Sequence, residues 1–399
     1  MSNTLKFGNG EWYGKEGTIL AYNDENNNYK PLPFNFERDS VATRVNKQGL
    51  IETVGADQPR IDYTDDSNGA LLLEPSRTNS EPYSEEFSNA GWVKTNATIT
   101  SNIVISPDGS LNATKIEVTS SGGNIFDPIG GTGDYVFSLF VKYVDTQYVR
   151  LRSTASYAFF DIKNGSVGGT VNVLDSKIEN YGNGWYRCSV VGNNTNSLIQ
   201  LFLSDSATSV TGTGSAYIWG AQLEQGSYPT SIINTQGSAQ TRLADSCSQT
   251  PPDGVIGQTE GTMFFEIDFK NTSGVSGAWS ISNASSANRI TMNTTNLSST
   301  QFTLSVAQNY NSGSTKLASS NVKFSDKHKV AIKYSGTTLK LFVDGQLSDS
   351  VSTDGFGNYT NFYVGGNQNG VGGDARKFIQ ANLYNTALSD SELAALTQV

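Results

Sequence analysis

Tyr135–Val136–Phe137–Ser138–Leu139–Phe140–Val141–Lys142 is an apolar, aromatic-rich run of strand length with no helical periodicity. Working outward from it, the segments Tyr148 to Arg152, Trp185 to Val190, Ser197 to Leu203 and Ala216 to Leu223 have the same character. Asn164–Gly165 and Asn183–Gly184 lie beside such segments and are tight-turn signals. Five or more strands at this spacing predict an antiparallel β-sandwich that begins near residue 81.

The bulk composition agrees. The chain has 399 residues, enough for two or three domains, with 36% hydrophobic residues and only 16% charged ones. Forty glycines against ten prolines, with abundant Tyr and Phe, is the profile of short strands and turns. A formal charge of −10 argues against a nucleic-acid partner, which would require clustered Lys and Arg. The opening Met1 to Gly14 has no apolar core of signal-peptide length, and no apolar run reaches membrane-spanning length. Synthesis in a cytoplasm without a membrane anchor is therefore expected.

A second series of strands starts at Gly261–Thr262–Met263–Phe264–Phe265–Glu266–Ile267–Asp268–Phe269 and continues to Phe378–Tyr384. Residues 247–260, polar and broken by Pro251–Pro252–Asp253–Gly254, read as a linker before it. Thr338 to Val343 ends in the hairpin signal Asp344–Gly345. Ser389–Asp390–Ser391–Glu392, followed by Leu393–Ala394–Ala395–Leu396, predicts one capped helix of one or two turns. Cys188 shares a strand face with Tyr186 and Val190 and reads as a buried thiol; a Cys188–Cys247 disulfide has no support in a chain without a secretory signal.

Residues 1–80 differ from the rest. Short extended pieces, Gly49 to Val54 and Gly69 to Glu74, alternate with Asn-, Asp- and Pro-rich turns. The apolar material is too sparse for an independent core, so this segment must dock on a jelly roll behind it, on sister chains or on another protein. Arg38, Arg44, Arg60 and Arg77 stand among Glu37, Asp39, Asp57 and Glu74, and by composition alone would be surface charge.

Three stretches carry family resemblances. Lys340–Leu341–Phe342–Val343–Asp344–Gly345 and Ile379 to Leu393 resemble the closing strands of the laminin G-like, concanavalin A-like sandwich family. Phe87–Ser88–Asn89–Ala90–Gly91–Trp92, Tyr217 to Gly226, and Thr230 to Thr235 with Thr241–Arg242–Leu243–Ala244–Asp245 resemble a jelly roll of the carbohydrate-binding-module type. Phe36 to Ile51, Pro59 to Tyr63 and Leu71 to Asn79 resemble the opening signature of phage tail, fibre and head-appendage proteins. That resemblance implies an ordered Arg–carboxylate network of Arg38, Arg44, Arg60, Glu74 and Arg77. It also implies a homo-oligomer, with a trimer preferred by analogy, on a virion assembled in a bacterial cytoplasm.

Catalytic sets are incomplete. Glu266–Ile267–Asp268 begins the carboxylate ladder of concanavalin A-like glucanases, but Phe269, Lys270 and Asn271 follow, and the third carboxylate is missing. The single histidine, His328, sits at a strand entry and reads as structural. No zinc spacing or phosphate loop occurs. The chain is therefore expected to be non-enzymatic and to need no cofactor. Structural calcium belongs to some relatives but has no D-x-D-x-D-G loop here, leaving Asp374 as a weak candidate ligand.

A sugar site has more support. Tyr148, Arg150 and Arg152 share one strand face opposite Val149 and Leu151, while Gln200 and Phe202 oppose Ile199, Leu201 and Leu203. This polar–aromatic face fits a subunit contact first and a glycan second. Tyr310, Asn311, Asn367 and Asn369 are further loop candidates. The sequence thus predicts an all-β chain: an extended attachment segment over 1–80, a jelly roll over 81–246, a linker over 247–260 and a concanavalin A-like sandwich over 261–399. The expected role is a fibre-like virion appendage presenting lectin-like domains to the host surface, with other virion proteins and host glycans as partners. An adhesin acting directly on host glycans is the alternative, and a depolymerase the third reading.

Overall fold

The computed structural model describes residues 4–8, 10, 12, 14–15, 17–25, 28–194, 198–251, 253–271, 276–296, 301–313, 316–323, 327–366 and 375–399. The all-β expectation holds. The strand pairings that build the large sheets are antiparallel, and Asp390–Leu396 is the one α-helix among the described residues.

The chain divides into two units, and their boundaries correct those expected from sequence. One unit comprises Met1–Lys47, Val54–Pro75 and Leu243–Val399; the other comprises Gln48–Thr53 and Ser76–Arg242. The amino-terminal segment is therefore not a separate element. Strand Thr4–Gly8 pairs with Ala375–Tyr384, with Leu5 opposite Leu383, and Ala70–Leu73 pairs with the other end of that strand, Leu71 opposite Phe378. Asn28–Glu37 pairs with Thr18–Glu25 and with Ser246–Gln249, so part of the expected linker is a sheet strand. The physical reason is the shortage of apolar residues seen in the sequence. Leu5, Ile19, Phe34, Phe36, Ile61, Leu71 and Leu73 cannot make a core alone, and they join Met263, Phe265, Trp279 and Phe378 in one buried cluster. Cys247, Val255 and Ile256 of the expected linker enter the same core.

Within this unit Glu260–Asn271 is flanked by Lys327–Ser335 and Ala375–Tyr384. Ser276–Ser282, Arg289–Asn296 and Gln301–Asn309 follow one another as neighbours, and Asn361–Val364 pairs with the first of them. Thr338–Val343 turns into Gln346–Ser352 through Asp344 and Gly345 at φ 50° and 82°. Positive φ at both central residues is the type I′ geometry that the Asp-Gly pair favours. The carboxy-terminal helix is capped as expected. Ser389 Oγ accepts from Glu392 N at 3.3 Å, and Ser389 N donates to Glu392 Oε2 at 2.7 Å. Its Leu393 is buried against Phe264, Ala331 and Phe342.

The second unit is a two-sheet sandwich of jelly-roll type. One six-stranded sheet runs Val93–Thr95, Asn124–Asp127, Ile199–Ser204, Tyr148–Ser153, Ser156–Asp161, Ser166–Val171 in spatial order. The other runs Ala97–Ile105, Leu111–Val118, Gly214–Gln225, Gly133–Tyr143, Trp185–Asn194, Asp175–Asn180. Phe137, Leu139 and Val141 from the opening stretch pack with Val149, Leu151, Leu201, Leu203 and Trp92 in its core. Cys188 lies in this core and Cys247 in that of the other unit, and both are free thiols.

Candidate functional site

The arginines of the opening segment separate into those that hold the fold and those that do not. Arg38 and Arg60 are buried at 1% and 0% exposure and meet on Asp245, a residue the sequence reading did not assign to the network. Arg38 Nη1 donates to Asp245 Oδ1 at 3.0 Å, while Arg60 Nη2 donates to Asp245 Oδ2. Arg60 Nη1 also donates to Glu74 Oε2 at 2.6 Å and to the Thr43 carbonyl at 3.1 Å. Arg38 ties three further carbonyls, of Ser40, Gln58 and Gly55. The two carboxylates push the Arg60 pKa above its ordinary value against the opposing effect of burial. Arg77 belongs to the other unit, where its guanidinium stacks on Tyr228 at 5.3 Å. Arg44 is half-buried on strand Ala42–Val45. Of the expected set, Arg38, Arg60 and Glu74 come together, with Asp245 at their centre.

The jelly-roll motif residues have a similar structural explanation. Glu224 accepts from Thr230 N at 2.9 Å and from Gln222 Nε2 at 2.7 Å, and Gln222 Oε1 accepts from Ile233 N at 2.6 Å. Arg242 Nη1 donates to Thr230 Oγ1 and Ser231 Oγ, both at 3.1 Å. Arg187 Nη1 donates to the Thr230 carbonyl at 2.7 Å. These buried hydrogen bonds tie Thr230 and Ile233 to their neighbours and fix the exit of the long strand Gly214–Gln225.

The surface with the most chemistry is the outer face of the sheet holding Tyr148–Ser153. Register places Arg150 opposite Phe202 on one side and Phe159 on the other; Arg152 stands between Gln200 and Tyr157. The Arg150 guanidinium lies 4.0 Å from the Phe202 ring centroid, 4.8 Å from Tyr157 and 6.0 Å from Phe159. Arg152 Nη1 donates to Gln200 Oε1 at 3.3 Å and its Nε donates to the Thr154 carbonyl. Gln200 Nε2 in turn donates to Asn124 Oδ1 at 2.9 Å. Tyr148 heads the row, with its hydroxyl 3.4 Å from Gln147 Nε2. Phe202 and Gln200 are 8% exposed because the arginines cover them, whereas Tyr148, Arg150, Arg152 and Tyr157 remain half-exposed.

The sequence reading thus brought Tyr148, Arg150, Arg152, Gln200 and Phe202 onto one face, and the structure puts them there. It missed Tyr157, Phe159 and Asn124. Tyr157 and Phe159 were findable, since Ser153 and Ser156 pair across a two-residue turn at Thr154–Ala155. Alternation carried through that hairpin places both rings beside Arg150.

The remaining candidates do not assemble. Glu266 stands in register with Lys329 and Gln380, and Phe265, Ile267 and Phe269 fill the core on the opposite face. His328 Nδ1 lies 2.7 Å from Asp344 Oδ2, beside the hairpin turn. Asn311 N donates to Asn288 Oδ1 at 2.8 Å, and Tyr310 packs near Gly355. Asn367, Asn369 and Asp374 lie outside the described residues. Among the described residues, no group of three or more His, Cys, Asp or Glu side chains is placed to hold a metal.

Comparison with protein-family models finds no match, and comparison with curated proteins finds none. Several solved sandwich domains are similar in shape. The CBM40 domain of a Ruminococcus gnavus IT-sialidase, bound to α2,3 sialyllactose, is 19% identical with a TM-score of 0.32; the match covers 38% of this chain and 90% of that one. Domain 4 of a GH43 extracellular arabinanase from Geobacillus stearothermophilus, in complex with arabinotriose, is 13% identical at a TM-score of 0.30, over 44% and 83%. Mouse laminin α1 domains LG4–5 are 13% identical at a TM-score of 0.24, over 68% and 88%. None of the three lends this chain a residue role.

Proposed function

We propose that the chain is a non-catalytic structural protein of a bacteriophage appendage, and that the Tyr148–Arg150–Arg152 face of its jelly roll binds glycan. The observation that supports glycan binding is the composition of that face: Tyr148 and Tyr157 supply half-exposed rings, and Arg150 and Arg152 supply planar donors above the buried Phe202 and Gln200, on one sheet. Sugars present apolar C–H faces and dense hydroxyls, and such pairings of ring and planar polar group match both. The incomplete carboxylate ladder at Glu266–Asp268 supports the non-catalytic part. The phage assignment rests on the resemblance of Phe36 to Ile51 and Leu71 to Asn79 to appendage proteins.

Two measurements test the reading. Immunogold labelling of intact phage particles should place the protein on an appendage, and its absence from particles would refute the assignment. Purified protein should bind a glycan array, and Tyr148→Ala should weaken binding at unchanged thermal midpoint and oligomeric state. Equal binding by that variant would exclude this face.

A further inference from the structure

The two arginines of the proposed glycan face lack what such residues normally have. Among the described residues, Arg150 makes no hydrogen bond or ion pair, and its Nε is buried without a partner. Its contacts are the rings of Phe202, Tyr157 and Phe159. Arg152 stands two residues along the same face and donates to the Thr154 carbonyl and the Gln200 amide oxygen, neither of them a carboxylate. The nearest acid in register, Asp161, is bonded by Gln147 Nε2 at 2.8 Å and by Asn164 Nδ2 at 2.9 Å. Burial, then the charge of Arg152, pull the Arg150 pKa down to about 10.

A guanidinium in this setting contrasts with Arg38 and Arg60, whose charges meet buried carboxylates inside the fold. Two adjacent cations stripped of part of their water and given no acid are poorly compensated in the free protein. An oxyanion laid across them would supply the missing charge, and the planar fork of Arg is shaped to take it in two parallel hydrogen bonds. Phe202 and Tyr157 hold the guanidinium plane by stacking, which leaves its edge donors for a ligand.

We propose that the ligand of this face is an acidic glycan, whose carboxylate or sulfate group is taken by Arg150 and Arg152 while its ring packs on Tyr148 and Tyr157. This deepens the glycan-binding reading and rests on it.

The test is an array carrying neutral, carboxylate-bearing and sulfated glycans, followed by titration of the best-bound glycan in acidic form and, for a carboxylate, after reduction to the alcohol. Binding confined to acidic glycans, lost at least tenfold on carboxyl reduction or desulfation, is the expected result. Arg150→Ala, Arg150→Lys and Arg152→Ala should each weaken it at least tenfold. The Lys variant fails because it keeps charge but not the fork. Lys115→Gln, a cation on the other sheet, should bind as the parent does. Arg150→Met removes no ion pair and keeps an unbranched stem over Phe202, so it should abolish acidic-glycan binding with only a small change in thermal midpoint, which separates ligand binding from a structural role. Binding restricted to neutral glycans, or full affinity in the arginine variants, would overturn the acidic-ligand inference while leaving the aromatic platform standing. Failure to bind any glycan would overturn both. Conversion of an oligomer to monomer by Arg150→Ala would also overturn both and make the face a subunit contact.

Discussion

Asp245 accepts from Arg38 on one carboxylate oxygen and from Arg60 on the other, so one acid bridges two buried guanidinium groups, and Glu74 supplies the second negative charge. The pairing joins chain segments more than 180 residues apart, since Asp245 follows the jelly roll and the arginines precede it. Asp245 also caps Glu74 N at 2.8 Å. Asp245→Ala should therefore cost about 3–5 kcal/mol, because Arg38 and Arg60 both lose a buried carboxylate partner and Arg60 keeps only Glu74. Urea unfolding that shows a loss below about 1 kcal/mol would contradict this role.

Chain deletions should act asymmetrically. A fragment of residues 76–242 retains both sheets of the jelly roll and is expected to fold alone. A fragment of residues 247–399 lacks Leu5, Phe34, Phe36, Leu71 and Leu73, and leaves the strand Ala375–Tyr384 with one open edge beside its pairing to Glu260–Asn271. It should aggregate or show no cooperative unfolding. A well-dispersed NMR spectrum from the second fragment would show that the amino-terminal strands are dispensable.

The jelly roll should lose stability as pH rises from about 4.5 to about 8. Burial, with the neighbouring charge of Asp127, pushes the fully buried Glu81 carboxyl from 4.5 to about 8. Between those values the folded state keeps a proton that the unfolded state has released. Stability is therefore fully present below the lower value and declines toward the upper one, by at most about 1.4 kcal/mol per pH unit for one proton. Glu85, raised to about 7, acts in the same direction. Chemical unfolding of the 76–242 fragment across this range should show the decline, and Glu81→Gln should flatten it. A Glu81→Gln profile as steep as the parent's would assign the effect elsewhere.

Ser389→Ala should remove one half of the capping box at the helix Asp390–Leu396. The expected cost is about 1 kcal/mol. Because Leu393 covers Phe264, Ala331 and Phe342, fraying there should raise proteolytic cleavage near the carboxy terminus first. An unchanged cleavage rate would mean that packing alone holds this helix.

Much of this molecule is readable without coordinates, because strand alternation and turn chemistry are local. The run Tyr135 to Lys142, the Asp344–Gly345 turn and the Ser389 cap each carry their conformation in adjacent residues, and each forms as expected. Alternation also suffices to put Tyr148, Arg150 and Arg152 on one face. What sits beside them depends on register between strands far apart in sequence, so only the fold brings Phe202 under Arg150 and leaves that arginine without an acid. The same limit explains the misplaced boundaries. Residues 1–80 look too poor in apolar mass to stand alone; that strands Thr4–Gly8 and Ala70–Leu73 pair with the distant strand Ala375–Tyr384 is decided by unpaired backbone donors and acceptors seeking a sheet edge, which no local pattern records.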